Sequence, residues 1–355
     1  MSPVRQTDPV TRGRRWDVAG GLLWGALLLW VVAREGPVPA AGLILVAAAG
    51  YTLARVAGAR AGVVPFVAGG GIAAGVAVVL LAGTWRGPDA GLLGYANATA
   101  ALAVQGAAVA GLAVAARQRR VRGLAVAGAL LLAAAPWIIR SQAGEAAGLL
   151  VVGAVVLSLA HQRRADREPL VLAAVAAGLL LVATAAQMWI GQRFGGPGAD
   201  PAVPPWMEEL SVRRADLWHD ATQIVAAHPL TGAGAGAFAR LSPTAADPDT
   251  PLAHSLLLQV AAEHGWVGAA LLTGGMVWAV ARTAAAPAAG ATTVAVAAWV
   301  GFQAQAGIDY VASFWPVVLV AAAVQGLATG AGARSTIGLR PRSASSGCGV
   351  SARGM

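Results

Sequence analysis

The sequence predicts an all-α polytopic membrane protein of about ten transmembrane helices, with both termini in the cytoplasm. Three observations carry this. Of the 355 residues, 57% are hydrophobic and only 12% are charged, about half the ~25% of a soluble domain. The apolar residues come in blocks long enough for the ~20 residues that cross ~30 Å of hydrocarbon. The 25 basic residues, all arginine, lie between those blocks, where they orient a membrane protein.

The expected spans are 18–34, 38–54, 63–82, 95–116, 122–139, 146–160, 168–190, 266–282, 287–307 and 311–330. Residues 1–17 form an Arg-rich cytoplasmic N-terminus. No small-residue cleavage site follows it, so the first helix reads as retained. Residues 18–190 hold spans one to seven, 191–265 one long external segment, and 266–330 spans eight to ten. The Gly, Ser and Arg content of 331–355 predicts a disordered cytoplasmic tail. Counting connections alternately from an inside start, 18 arginines fall inside and seven outside. This asymmetry sets the orientation.

Several function classes drop out. The net charge of +9 sits in short loops, so no nucleic-acid partner is expected; the charge meets membrane lipid. Cys348 is the only cysteine, which rules out an internal disulfide and a Cys-based metal site. No His-x-x-x-His or paired-carboxylate pattern supports a metal, and no cofactor is expected. No arginine needs to lie at a bilayer centre, which argues against a pump or voltage sensor. With 46 glycines, small-xxx-small patterns arise by chance and carry no functional weight.

The segment 191–265 holds four of the five histidines: His219, His228, His254 and His264. A long connection between short-looped spans is usually functional or disordered. This one contains a predicted amphipathic helix from Pro205 to about Ala227, closed by Pro229. Trp206, Met207, Leu210, Leu217, Trp218, Ala221, Ile224 and Val225 share one apolar arc of about 120°. Arg213 falls beside Glu209 and Asp216, as a surface ion pair. Arg214 falls inside the apolar arc, where a cation must snorkel, stack on Trp218 or meet an anion.

The run His228 to Phe238 is Gly-rich. No strand precedes it, so a tight turn is the reading rather than a dinucleotide loop. Next, Pro251 places His254 near a helix start, followed by a polar stripe of Ser255, Gln259 and Glu263. A positive helix end keeps imidazole neutral. His254 is therefore either a structural, hydrogen-bonded histidine or a neutral general base.

These residues resemble the O-antigen ligase and polymerase family. The motifs are Arg214-x-x-x-Trp218, then His228-Pro-Leu-x-Gly-x-Gly-x-x-x-Phe238, then His254-Ser-x-x-Leu-x-x-x-x-x-Glu263-x-Gly265-x-x-Gly268. Tyr95-Ala-Asn97-Ala-x-Ala100 and Arg140-Ser141-Gln142-Ala143 are similar to two further family segments. The resemblance covers roughly 85–330. Ser255 stands where the family has Asn, and Gln142 where it has Arg, with Arg140 two positions earlier. The chain is also short for a family that often has twelve spans.

The resemblance implies a metal-independent glycosyltransferase in the bacterial cytoplasmic membrane, with its active face outward. The donor would be a glycan on undecaprenyl diphosphate, the acceptor a glycan or lipid hydroxyl, and the product a surface polysaccharide. In that reading His254 takes the acceptor proton and Arg214 holds the departing diphosphate. Arg140, Trp218 and Glu263 serve substrate binding, Glu263 chiefly by holding the helix. Asp309, at the rim of a span, carries no motif. Two other readings stand beside it. One is a small-solute, bicarbonate-like transporter, which would need polar residues along a mid-membrane path; the spans carry few, chiefly Asn97, Gln105, Gln187, Gln303 and Gln305. The other is a non-catalytic assembly protein that binds lipid-linked glycan.

Overall fold

The computed structural model describes residues 9–35, 39–60, 93–113, 119–160, 169–197, 212–246, 251–286 and 289–337. These residues form α1 (Pro9–Glu35), α2 (Pro39–Gly58), α3 (Ala96–Leu112), α4 (Arg119–Ile139), α5 (Gln142–Ala160), α6 (Pro169–Phe194), α7 (Val212–Ala227), α8 (Ala237–Leu241), α9 (Leu256–Ala284), α10 (Ala289–Ile308) and α11 (Trp315–Ile337). Single 3-10 turns lie at Thr244–Ala246 and Val311–Ser313.

The chain is an all-α, multi-pass membrane protein. Among the described residues, six helices are long and apolar enough to cross a membrane: α1, α2, α4, α5, α6 and α9. Shorter apolar helices lie at Ala96–Leu112 and Trp315–Gly330. The third expected span, 63–82, lies outside the described residues, as does the chain beyond Ile337. Helices suit lipid because each satisfies its own backbone groups. Leu22, Leu29, Leu53, Leu149, Leu179 and Val182 are exposed, which lipid covers without cost. The last helix starts at Trp315 and runs to Ile337, so helical structure passes the start of the expected tail.

Glycine and alanine set the packing. α2 and α11 run parallel, with Gly50 against Leu319 and Gly58 against Leu327. A Cβ on Gly326 would stand 2.3 Å from the Tyr51 oxygen, and one on Gly330 2.2 Å from the Arg55 oxygen. This is a small-xxx-small contact in which backbones touch. The motif given no weight in the sequence therefore has one clear use. α1 lies antiparallel to α9: Gly20 meets Trp278, and Trp30 Nε1 donates to the His264 oxygen at 3.1 Å. At the end of the bundle away from that contact, Asp17 joins three helices. It accepts from Arg282 Nε at 2.7 Å and from Arg55.

α9 is broken near its start. Gly265 has φ 70° and ψ −176° within the helix, which opens the i→i−4 ladder and frees backbone groups there. The Gly-rich run fills the gap. Ala233 N donates to the Ala262 oxygen at 2.9 Å, and Gly234 N to the Glu263 oxygen at 3.0 Å. Trp266 N donates to the Pro229 oxygen at 2.8 Å. A Cβ on Gly232 would lie 2.3 Å from the Glu263 carbonyl. The glycines thus serve a close backbone crossing: Ala233 and Gly234 donate to α9, and Gly232 N donates to the His228 oxygen at 3.0 Å within the turn. This accords with the turn reading.

α7 keeps the expected apolar face. Leu217, Trp218, Ala221, Ile224 and Val225 are buried and pack, with Phe238, Leu258 and Ala261, into one core cluster. The helix covers α6 and α9. Residues 198–211, including the expected helix start, lie outside the described residues.

Candidate functional site

The site gathers where α3 and α9 begin, α7 begins and α10 ends. Its centre is Asp309, 1% exposed, one residue past α10. A carboxylate at a helix C-terminus meets the negative end of the dipole, so it requires donors. It has them. Tyr95 Oη donates to Oδ1 at 2.8 Å and lies 2.9 Å from Oδ2. Asn97 Nδ2 donates to Oδ2 at 2.5 Å, and the Tyr310 backbone N–H to Oδ1 at 2.7 Å. Tyr95 stacks on Tyr310 with centroids 4.5 Å apart, and Phe314 stacks beside both.

Two candidate residues converge on this carboxylate. His254 Nδ1 lies 3.6 Å from Oδ1, and Arg214 Nη2 lies 3.7 Å from Oδ2. His254 is 8% exposed, and among the described residues neither of its ring nitrogens has a hydrogen-bond partner. The Tyr310 ring meets it edge-on at 4.7 Å. Burial lowers the His254 pKa from 6.5 to about 4; Asp309 raises it less than burial lowers it, and Arg214 and Arg213 lower it further. The imidazole is therefore neutral near pH 7. The Arg214 side chain is 24% exposed, so it spans the buried carboxylate and the surface.

Ser255 caps α9. Its Oγ accepts from Leu258 N at 3.4 Å and donates to Gln187 Oε1 at 2.8 Å. Gln187 Nε2 in turn donates to the Gly307 oxygen. The backbone beside His254 is thus tied through α6 to the backbone beside Asp309. The serine that departs from the family's Asn makes this link.

Residues 131–273 match the family model described as O-antigen ligase. The similarity to the O-antigen ligase family is confined to that stretch. No curated protein matches this chain in sequence. The O-antigen ligase match runs from the middle of α4 into α9 and includes Arg140, Arg214, His254 and Glu263. It stops short of Asp309 and is narrower than the 85–330 expected from the motifs.

The remaining sequence candidates stand apart from the Asp309 centre in different ways. Arg140 is exposed at the end of α4 with φ 61°. Gly144, near the start of α5, packs on Ala100 of α3, so Arg140 lies at the same end of the bundle as the centre. Among the described residues, Arg140 and His254, at φ 49°, are the two non-glycine residues with positive φ. Such strain clusters at functional sites. Trp218 is 2% exposed within the core; its ring packs α7 and does not reach the surface. Glu263 accepts from Gln259 Nε2 at 2.9 Å, while Gln259 Oε1 accepts from Ala253 N at 2.7 Å. The polar stripe therefore closes onto the strap that carries His254.

Tyr310 was not singled out from sequence; Asp309 was named only as a possible rim position without a motif, Tyr95 only as the opening of a family-like segment, and Gln187 only as a polar residue within a span. The available signal was an acidic residue ending an apolar helix, where the dipole opposes it. Asn97 was visible as a polar residue opening a span, and its partner was not.

Proposed function

We propose that this chain is a glycan transferase on the outer face of a bacterial cytoplasmic membrane. The donor is a glycan on undecaprenyl diphosphate, and the acceptor is a glycan or lipid hydroxyl. One observation carries this reading: a held carboxylate stands between a buried, neutral imidazole with unpartnered nitrogens and a partly exposed guanidinium.

In the reaction the acceptor oxygen attacks the anomeric carbon of the donor. The anomeric C–O bond to the diphosphate breaks, and its electron pair leaves with the diphosphate. The acceptor proton passes to His254. Arg214 binds the diphosphate oxygens, as a guanidinium does well, with Arg140 at the same rim. Asp309 stabilises the imidazolium as it forms. The proton then leaves to solvent, giving the new glycoside and undecaprenyl diphosphate. A base works best with a pKa near the operating pH. A diphosphate on Arg214 offsets the charge that depresses His254 and moves it toward that range.

The arginine asymmetry of the connections supports an outward site. Exposed Trp137, Trp189, Trp266 and Trp315 lie on or beside the elements that build the site. Exposed tryptophans mark the membrane interface, the level of a lipid diphosphate.

The test is deletion of the gene with analysis of surface glycan and lipid-linked precursor, complemented by wild type, His254→Ala and Arg214→Ala. Wild type restores the glycan, and both variants fail and accumulate precursor. Full complementation by both variants removes the assignment. Loss with Arg214→Ala alone indicates binding without transfer.

A further inference from the structure

The turn at 229–231 lies outside the expected spans, yet its tip is apolar and bare: Leu230 is 68% exposed. Its neighbours across the fold come from the break in α9. Trp266 N donates to the Pro229 oxygen at 2.8 Å, and a Cβ on Gly265 would stand 2.2 Å from the Leu230 oxygen. Trp266 is itself exposed. Trp30 of α1 reaches the same break through its bond to the His264 oxygen at 3.1 Å, and exposed Leu29 precedes it in the chain. Leu230 therefore lies beside the surface that α1 and α9 present to lipid.

The depth of this turn follows from α9. At the far end of that helix Arg282 is bonded to Asp17. Trp266 stands sixteen residues before Arg282, about 24 Å away along an axis that rises ~1.5 Å per residue. A hydrocarbon core is ~30 Å thick, and tilt shortens the reach further. A helix with a charged cluster at one border of the hydrocarbon does not carry Trp266 clear of the other border. The turn bonded to Trp266 lies at that depth too. Non-helical backbone is tolerated there only where protein satisfies its polar groups. Pro229 has no N–H to satisfy, its oxygen accepts from Trp266 N, and the His228 oxygen accepts from Gly232 N at 3.0 Å.

We propose that the turn at 229–231 is a membrane wedge, with Leu230 inserted into the leaflet at this end of the bundle and packed on the upper acyl chains of phospholipid. The inference is independent of the transferase reading. Lipid is the occupant because the patch adjoins the apolar surface of α1, where Leu22 and Leu29 are exposed. Arg34, exposed one turn beyond Trp30, supplies a cation for the phosphate level above it. The turn that meets lipid is also the one bonded to Ala262 and Glu263 through Ala233 and Gly234, so it braces the start of α9.

The test places a nitroxide on Leu230→Cys in a Cys348→Ser background, in full-length protein in nanodiscs of phosphatidylethanolamine and phosphatidylglycerol. Its collisions with oxygen, which partitions into lipid, and with a water-soluble nickel chelate are compared with those of spin-labelled lipids of known depth. The oxygen-to-nickel ratio is expected to be at least threefold above that of a headgroup-labelled lipid. A ratio at or below the headgroup value puts the turn in water and overturns the wedge. Collisions suppressed with both reagents mean that protein covers Leu230, and overturn it equally. Wild-type protein gives a second reading free of substitution: it is irradiated in the same nanodiscs with a phospholipid carrying a diazirine on the upper acyl chain. Adducts on the peptide that holds 229–231 are expected, and adducts confined to the spans overturn the proposal.

Discussion

Replacing Asp309 by Asn separates the two duties of the buried carboxylate. The carboxylate lies 3.6 Å from His254 Nδ1. Opposite unit charges at that distance attract by about 4.6 kcal/mol at an effective dielectric constant near 20. If proton transfer is half complete in the transition state, about 2.3 kcal/mol of stabilisation disappears, and if complete, about 4.6 kcal/mol. At 1.36 kcal/mol per decade the transfer rate falls by roughly 50-fold to 2,000-fold. Donor binding follows the other arm. Arg214, 3.7 Å from the carboxylate, loses a competitor and keeps its lipid diphosphate. The assay is single-turnover transfer by purified protein beside native mass spectrometry of bound lipid-linked glycan. Asn97 and the Tyr310 N–H both donate to Asp309, so an amide meets one unmatched donor; a melting curve confirms that the variant is folded. A folded Asp309→Asn protein that transfers at the wild-type rate refutes the role given to this carboxylate.

Two further outcomes follow from the geometry. With the His254 pKa at about 4 in the free protein, kcat/KM stays level from neutral pH down to about pH 5. It then drops tenfold per unit below pH 4, because imidazolium accepts no proton. The same depressed pKa means that the unfolded chain binds more protons between pH 6.5 and about 4, so stability is lost as pH falls through that window. The wild-type melting temperature declines from pH 7 to pH 5, and His254→Gln flattens the decline. Gly265→Ala places a Cβ 2.2 Å from the Leu230 oxygen at φ 70°. It should cost about 3 kcal/mol or more through strain and displaced hydrogen bonds. Gly153→Ala, in a helix with nothing within 4 Å, gains about 1 kcal/mol of helix propensity; equal melting temperatures for the two variants would contradict the account of the helix break.

The fold was legible wherever composition acts alone. Block length and arginine placement define a helical membrane protein without any knowledge of contacts. The apolar face of α7 was legible because one helix carries its own periodicity, and Leu217, Trp218, Ala221 and Ile224 are buried as one stripe. Arg214 could be picked out as a cation within an apolar helical arc, and His254 as a histidine placed by Pro251 just before a helix start. Their common partner could not. Asp309 lies 55 positions after His254 in the chain, and only the folded arrangement of α3, α9 and α10 brings it near. Trp218 shows the opposite failure. Four residues from Arg214, it reads as a neighbour, yet its ring turns into the core. The Gly-rich run was ambiguous for a related reason: local spacing says that the backbone must bend, and only the broken helix at Gly265 says what it bends around.

That break divides α9 into two rods. The long rod from Trp266 is pinned at its far end, where Arg282 grips Asp17. The short rod from Leu256 to His264 is instead stitched sideways to the loop of Pro229 to Gly234. The same loop bonds both sides of the joint, Ala262 and Glu263 before it and Trp266 after it, so the start of α9 leaves the direction of the span while its backbone groups stay paired.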